Sequence, residues 1–537
     1  MVARTTKAPL LWRGAHRVTE GKLVPDWHVS RDGTTTHRVA LLRTMSTHST
    51  SSRHALDSDY VRDQLVPRTV DVNGKTYHPA GEYVLYWMQS THRLEENWAL
   101  RAAIRTANRV NLPLVIHQGL DPTYPHASDR HHTFILQGAR DTARDAAQRG
   151  LHYQFVLRRR RDDDRRVVDR LAARAYVVFT DLFPTAGIRE RVARLGDRVT
   201  CRVLAIDSVC TVPSGTFTKA EFAARTIRPK LAKLIDHAIE PVTEGEPQVA
   251  VSDALRASLR DTIAAGGGLV PLPVATMSDD DIAREVAACE IDHTVPAVSL
   301  TGGSLAAEAR WTHVLQDVLP RYDERRNEAS DGDGTSRLSP YLHYGQLPSA
   351  RLVREARAAG LSATSLDAFV QQVTTWRELA FNWCVRTPNF DRLEALPDWV
   401  QRTMAEHAND PRPHRYDLDE LEAGTTGDRL WNASQHELVT QGVIHNYPRM
   451  LWGKTVLLWT ESYEQARTWL FHLNDKYALD GRDPNSVGGI MWCLGLWDRP
   501  WGNKPIWGGI RPMVTSRAKL KFDVEGYVAR VRGSRLL

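Results

Sequence analysis

No stretch of the 537-residue chain approaches the roughly 18 consecutive apolar residues that a membrane-spanning helix needs. The first residues place Arg4, Lys7 and Arg13 around a short apolar patch, without the apolar core and small-residue cleavage site of a secretory leader. Cysteine is scarce and scattered: Cys201, Cys210, Cys289, Cys384 and Cys493 form no CxxC pair. That spacing excludes a zinc ribbon, a cluster-binding cysteine motif and a disulfide framework, and it fits a reducing cytoplasm. Two phosphate-binding signatures are also missing, since no GxGxxG follows the first strand pattern and no GxxxxGK[ST] occurs anywhere.

What is present points to a polyanionic partner and to indole chemistry. The formal charge is +6, and Lys and Arg that neutralise phosphates release counterions. Of 16 tryptophans, 11 lie at or after Trp376. Indoles fill cores, but they also stack on bases and carry electron holes.

Four regions differ in texture. Residues 1–79, rich in Arg, Thr, Ser and His, read as a disordered basic and polar extension. Residues 80–240 alternate strand and helix patterns, with strands at Tyr83–Met88, Leu112–His117, Tyr153–Leu157, Ala175–Thr180 and Arg202–Asp207. Helices are expected at Glu95–Val110 and His132–Arg149, so the spacing predicts an α/β domain with a parallel, Rossmann-like sheet. Residues 241–300 read as a linker with a helix or two, and residues 301–537 as an all-α domain with apolar positions at i, i+3, i+4 and i+7.

In Gly334–Gln346 (GTSRLSPYLHYGQ) the hydroxyls of Thr335, Ser336 and Ser339 lead into a helix start, where side chains cap the helix or N–H groups bind phosphate. Spacing alone leaves both readings open. Trp452 and Trp459 are seven apart, roughly 10 Å along a helix on one face, which suits either a core stripe or a hop between indoles.

Taken with Trp376–Leu379 (WREL), Leu430–Gln435 (LWNASQ), Arg449–Trp452 (RMLW), Leu473–Asn485 and Asp498–Trp501 (DRPW), this segment resembles the photolyase and cryptochrome family. Tyr86–Ala99 and Ala223–Lys230 (AARTIRPK) resemble N-terminal signatures of its class II cyclobutane-pyrimidine-dimer photolyases. The ordered similarity runs from about residue 82 to about residue 530. The resemblance implies light-driven DNA repair with FAD as cofactor, damaged DNA with a flipped-out pyrimidine dimer as partner, no metal, and a cytoplasmic, nucleoid-associated monomer. It also allows an antenna chromophore, a deazaflavin or a folate, in the α/β half, though no residue pattern distinguishes them.

Matching positions acquire roles by the same resemblance. Thr335, Ser336, Leu338 and Ser339 would hold the FAD phosphates, with Tyr322, Arg377 and Asp480 against the cofactor and Asn474 facing flavin N5. Trp452, Trp431 and Trp459 would relay electrons; Trp376, Met450 and Trp492 would line the lesion pocket; Arg499 and Arg511 would contact DNA. His343 and His445 read as pocket or packing residues. Two departures fall on the substrate side. Gln372 replaces the family's glutamate and cannot supply a proton, and Trp492–Arg499 is one residue short with Trp497 in place of a histidine. The alternative reading is therefore a cryptochrome-like photoreceptor, or a relative with altered lesion specificity.

Overall fold

The computed structural model describes residues 11–19, 22–30 and 59–533. Strands β1 (Leu11–Thr19) and β2 (Lys22–Ser30) pair antiparallel. Next come α1 (Asp59–Arg68), β3 (Thr69–Asp71), β4 (Tyr83–Met88), α2 (Trp98–Val110), β5 (Leu114–Leu120), α3 (Asp129–Gln148) and β6 (His152–Leu157). Helix α4 (Val167–Ala173), β7 (Ala175–Asp181), α5 (Ile188–Arg198) and β8 (Arg202–Ile206) complete a six-stranded sheet of order β3-β8-β7-β4-β5-β6. All its pairings are parallel except β3 on β8, at the edge.

The central strand explains why the apolar run YVLYWM forms here. Strand residues alternate faces, and each face of β4 meets its own core. Tyr83 and Leu85 pack with α4 and α5, while Val84, Tyr86 and Met88 pack under α2.

The expected extension over residues 1–79 is corrected at its C-terminal end. Buried Arg68 donates to the carbonyls of Asp207 (3.1 Å), Cys210 (2.8 Å) and Thr211 (2.7 Å), and Thr69–Asp71 is a strand of the main sheet. A guanidinium buried with three acceptors belongs to a folded core, which a composition reading cannot detect. Residues 1–10, 20–21 and 31–58 of that expectation lie outside the described residues.

Helices α6 (Ala224–Ala238), α7 (Asp253–Ala264) and α8 (Asp279–Ala287) follow. The 241–300 segment does contain two helices, and they cover the α/β half rather than hang free. Leu259 and Ile263 of α7 enter the core beside α4, and Ile282 and Val286 of α8 enter that beside α3.

The remainder is helical: α9 (Ser304–His313), α10 (Tyr322–Arg325), α11 (Ser339–His343), α12 (Ser349–Ala358), α13 (Ala363–Val370), α14 (Arg377–Arg386) and α15 (Asp398–Glu406). Then come α16 (Leu418–Ala423), α17 (Arg429–Gln441), α18 (Asn446–Trp459), α19 (Tyr463–Tyr477), α20 (Pro484–Cys493) and α21 (Val524–Gly533). Among the described residues no helix is long and apolar enough to cross a membrane.

The two halves interlock through buried polar groups. The Asp181 carboxylate at the end of β7 accepts from the N–H groups of Gln89 (2.7 Å), Ser90 (2.8 Å) and Thr91 (3.0 Å), fixing the loop after β4. That loop abuts Gly345, whose φ is +61°; a Cβ there would stand 2.4 Å from the Ser90 carbonyl oxygen, so only glycine fits. Arg93 closes the joint by donating to the Gly345 carbonyl (2.7 Å) and the Ser208 carbonyl (2.7 Å).

Candidate functional site

The segment Gly334–Ser339 forms a hydroxyl-bearing cradle. Arg310 donates to the carbonyls of Ser336 (2.8 Å) and Thr335 (2.9 Å), which turns their backbone inward and leaves both residues half-buried. Arg337 adopts φ +52° and lies 3.6 Å from buried Glu437 of α17. Leu338 is buried and Ser339 exposed at the start of α11. Tyr322 packs edge-on to Phe369 at 5.8 Å.

A second cluster surrounds the turn after α19. Asp480 accepts from Arg449 of α18 (3.2 Å), whose buried Nε has no hydrogen-bond partner among the described residues. Asn474 is buried, and its Nδ2 donates to Asp475 (2.9 Å). His343 pairs with Asp483 (3.0 Å), both buried. Burial works to raise the Asp483 pKa, but the His343 bond and the nearby Arg377 charge prevail and hold it below the ordinary carboxylate value. Cradle and turn therefore both hang on the α17–α18 pair, one through Glu437 and the other through Arg449.

The same helix pair carries a continuous column of aromatics. Trp431 stacks on Trp452 with ring centroids 6.2 Å apart and 11° between planes, and meets Trp459 edge-on at 5.3 Å. Trp431 is fully buried and bridges the gap that separates Trp452 from Trp459 on α18. Its Nε1 donates to the Trp452 carbonyl (3.0 Å), while Trp452 Nε1 donates to Gln435 Oε1 (2.9 Å). Tyr416, 4.9 Å from Trp459, extends the column to a half-exposed ring.

Gln372 and Trp376 lie on a π-helical turn, Gln371–Trp376, between α13 and α14. Such a turn adds a residue per repeat and swings side chains off the regular helical face. Trp376 is 41% exposed, whereas the adjacent Arg377 and Glu378 are buried against the α/β half. Arg377 donates to the Val209 carbonyl (2.7 Å), and Glu378 accepts from the N–H groups of Thr211 (2.8 Å) and Val212 (3.1 Å). Burial pushes the Glu378 pKa up to about 7. The WREL block thus offers its tryptophan to solvent and uses its charges to lock the halves together.

Met450 of α18 and Trp492 of α20 are half-buried, and Lys454 lies 4.7 Å from the centre of the Trp492 ring. Trp497 has φ +59° and packs on α20 at Gly488, where a Cβ would come 2.6 Å from the indole. Arg499 and Arg511 stack on the exposed Trp501 ring at 4.7 and 4.6 Å. Neither arginine has an ion pair among the described residues.

Sequence reasoning missed Arg449, Asp475, Glu378 and Lys454. Arg449, Asp475 and Glu378 stand inside the blocks RMLW, Leu473–Asn485 and WREL, and for Lys454 the signal is a lone lysine within the otherwise uncharged run WGKTVLLW.

An α/β half joined to a helical half is the architecture of the photolyases. A family model described as DNA photolyase matches residues 84–248. A deoxyribodipyrimidine photo-lyase of Methanothermobacter thermautotrophicus is 33% identical over 467 residues, covering 87% of this chain and 98% of that protein. Proteins of the same name from Arabidopsis thaliana (33% over 468 residues, 84% and 88% covered) and Potorous tridactylus (31% over 455 residues, 83% and 81% covered) also match. The crystal structure of a bacterial class III photolyase from Agrobacterium tumefaciens shares the fold, with TM-score 0.57, 16% identity, and 84% and 86% of the two chains covered. The chain belongs to the DNA photolyase family.

Proposed function

We propose that this protein is a deoxyribodipyrimidine photo-lyase that binds FAD in its helical half and splits cyclobutane pyrimidine dimers in DNA under light. The observation that carries this reading is the buried column Trp452–Trp431–Trp459, in ring contact throughout. Three indoles at such spacing serve a one-electron path, and a hydrolytic site has no use for them.

The residues present fit FAD. The hydroxyls of Thr335, Ser336 and Ser339 and the unpartnered Nε of Arg449 supply donors suited to a pyrophosphate. When bound, FAD would supply a light-absorbing centre capable of one-electron redox chemistry beside these residues. The chain's own part is to hold and shield. Tyr322 and Leu338 exclude water at the cradle, Asp480 orients Arg449, and Asn474 presents its amide to the flavin.

On the substrate face, exposed Trp376 stacks on an extruded base while Met450 and Trp492 close the pocket around it. Extrusion costs a few kcal/mol, less at a damaged step. Arg499 and Arg511, held over Trp501 and outside any ion pair among the described residues, contact the phosphates beside the lesion.

The test is light-dependent loss of dimers from a thymine oligonucleotide mixed with purified, photoreduced protein. No loss, with FAD bound, would move the assignment to a photoreceptor or to a repair enzyme for another lesion. Gln372 and Trp497 favour that second reading, because they alter the substrate face and leave the cradle intact. Gln372→Glu is expected to raise the repair yield about tenfold, the effect of one improved hydrogen bond of about 1.4 kcal/mol. An unchanged yield would remove position 372 from the lesion site.

A further inference from the structure

Asp475 follows Asn474 on α19 and is half-buried, and one of its oxygens has two fixed donors. Oδ1 accepts from Asn474 Nδ2 (2.9 Å) and from the Arg482 backbone N–H (2.9 Å). Arg482 holds φ +65°, a left-handed conformation that an arginine rarely adopts, so this bond staples a tight turn. The Asp475 backbone is fixed from the α/β half as well, since its carbonyl accepts from His131 Nε2 (3.3 Å). Burial holds His131 neutral, with a single ring N–H, and its other nitrogen faces the Tyr344 hydroxyl at 3.3 Å. The direction of the chain follows: Tyr344 O–H donates to Nδ1, and Nε2–H donates to the Asp475 carbonyl.

A carboxylate only accepts hydrogen bonds. Asn474 must therefore turn its NH₂ toward Asp475, which leaves its carbonyl oxygen as the group presented away from the turn. We propose that Asp475 is a positioning residue that locks the Asn474 amide with its carbonyl toward the flavin, so that the site favours reduced FAD over oxidised FAD. The proposal rests on the reading of Asn474 as the flavin-facing amide. Its chemical basis is simple: reduced flavin carries an N–H at N5 that a carbonyl accepts, whereas oxidised flavin offers a lone pair there that a carbonyl repels. Burial raises the Asp475 pKa, while the Asn474 bond and the Arg482 charge oppose that rise.

The experiment measures the dissociation constants of the full-length protein for oxidised and reduced FAD, by binding titration and reduction midpoint. Asp475→Leu is expected to weaken reduced FAD about tenfold relative to oxidised FAD, the equivalent of about 1.4 kcal/mol. Asp475→Asn keeps an acceptor oxygen in place and should retain most of the preference. Asp475→Ala, which likewise removes the acceptor but with less bulk, should lose it too and serves if the leucine variant does not fold. In an Asn474→Ala background the Asp475 substitutions should leave the ratio unchanged. Equal weakening of both redox forms, or the same selective loss without Asn474, would make Asp475 a purely structural residue and overturn the proposal. A wild-type protein that binds neither form would overturn the FAD reading itself.

Discussion

Trp431→Phe is expected to slow light-driven reduction of bound FAD by an external electron donor about a hundredfold, while FAD content stays unchanged. Phenylalanine fills most of the space but is far harder to oxidise than tryptophan. A step made harder by even about 3 kcal/mol loses about two orders of magnitude in rate. The position matters because Trp431 is the one ring in contact with both Trp452 and Trp459, at 6.2 and 5.3 Å. Among the described residues no second ring spans that gap in the column. The substitution also removes the Nε1 bond to the Trp452 carbonyl, for a loss of about 1 kcal/mol in stability. Trp98→Phe, in the buried core under α2 of the other half, controls for generic repacking and should leave photoreduction untouched. Equal rates in the Trp431 variant and wild type would show that electrons travel another way.

Lys454→Met is expected to raise stability at pH 7 by about 2 kcal/mol. The Lys454 ammonium is fully buried, has no carboxylate in an ion pair among the described residues, and donates only to the Trp492 carbonyl at 3.3 Å. Burial pushes its pKa from 10.5 down to about 8. That gap corresponds to about 3 kcal/mol of destabilisation, from which about 1 kcal/mol is subtracted for the lost hydrogen bond and cation–π contact. The pH dependence has a definite sign. Below pH 8 the lysine is charged in both folded and unfolded states, and the penalty is complete. Between about 8 and 10.5 the unfolded chain binds more protons, so wild-type stability rises with pH and the advantage of methionine fades. Above 10.5 it is gone. Thermal unfolding midpoints of the two proteins at pH 7 and pH 10.5 check this, and a less stable methionine variant at pH 7 would contradict it. Lys454 grips Trp492 by ring and carbonyl together.

Strand positions in the α/β half were most legible where a parallel strand, buried on both faces, reads as a nearly unbroken apolar run. Tyr83–Met88 matches β4 residue for residue, and Ala175–Thr180 differs from β7 only by Asp181. Strand β3 was not legible: three residues at a sheet edge carry too little pattern, and what holds them is Arg68 reaching three carbonyls more than 130 residues away. Helix α5 also went unread, since charged residues dominate IRERVARLGDR and its apolar face is narrow.

The candidate site divides along the same line. Periodicity placed Trp452 and Trp459 on one face of one helix, because that spacing is local and set by helical geometry. That Trp431 enters between them from α17 and that Asp480 meets Arg449 depend on how separate helices pack. Local sequence therefore determined the elements, their faces and the residue types able to do the chemistry. Only tertiary structure decided which of those residues touch, because contacts between distant segments arise from burying several amphipathic faces at once, and no single segment encodes them.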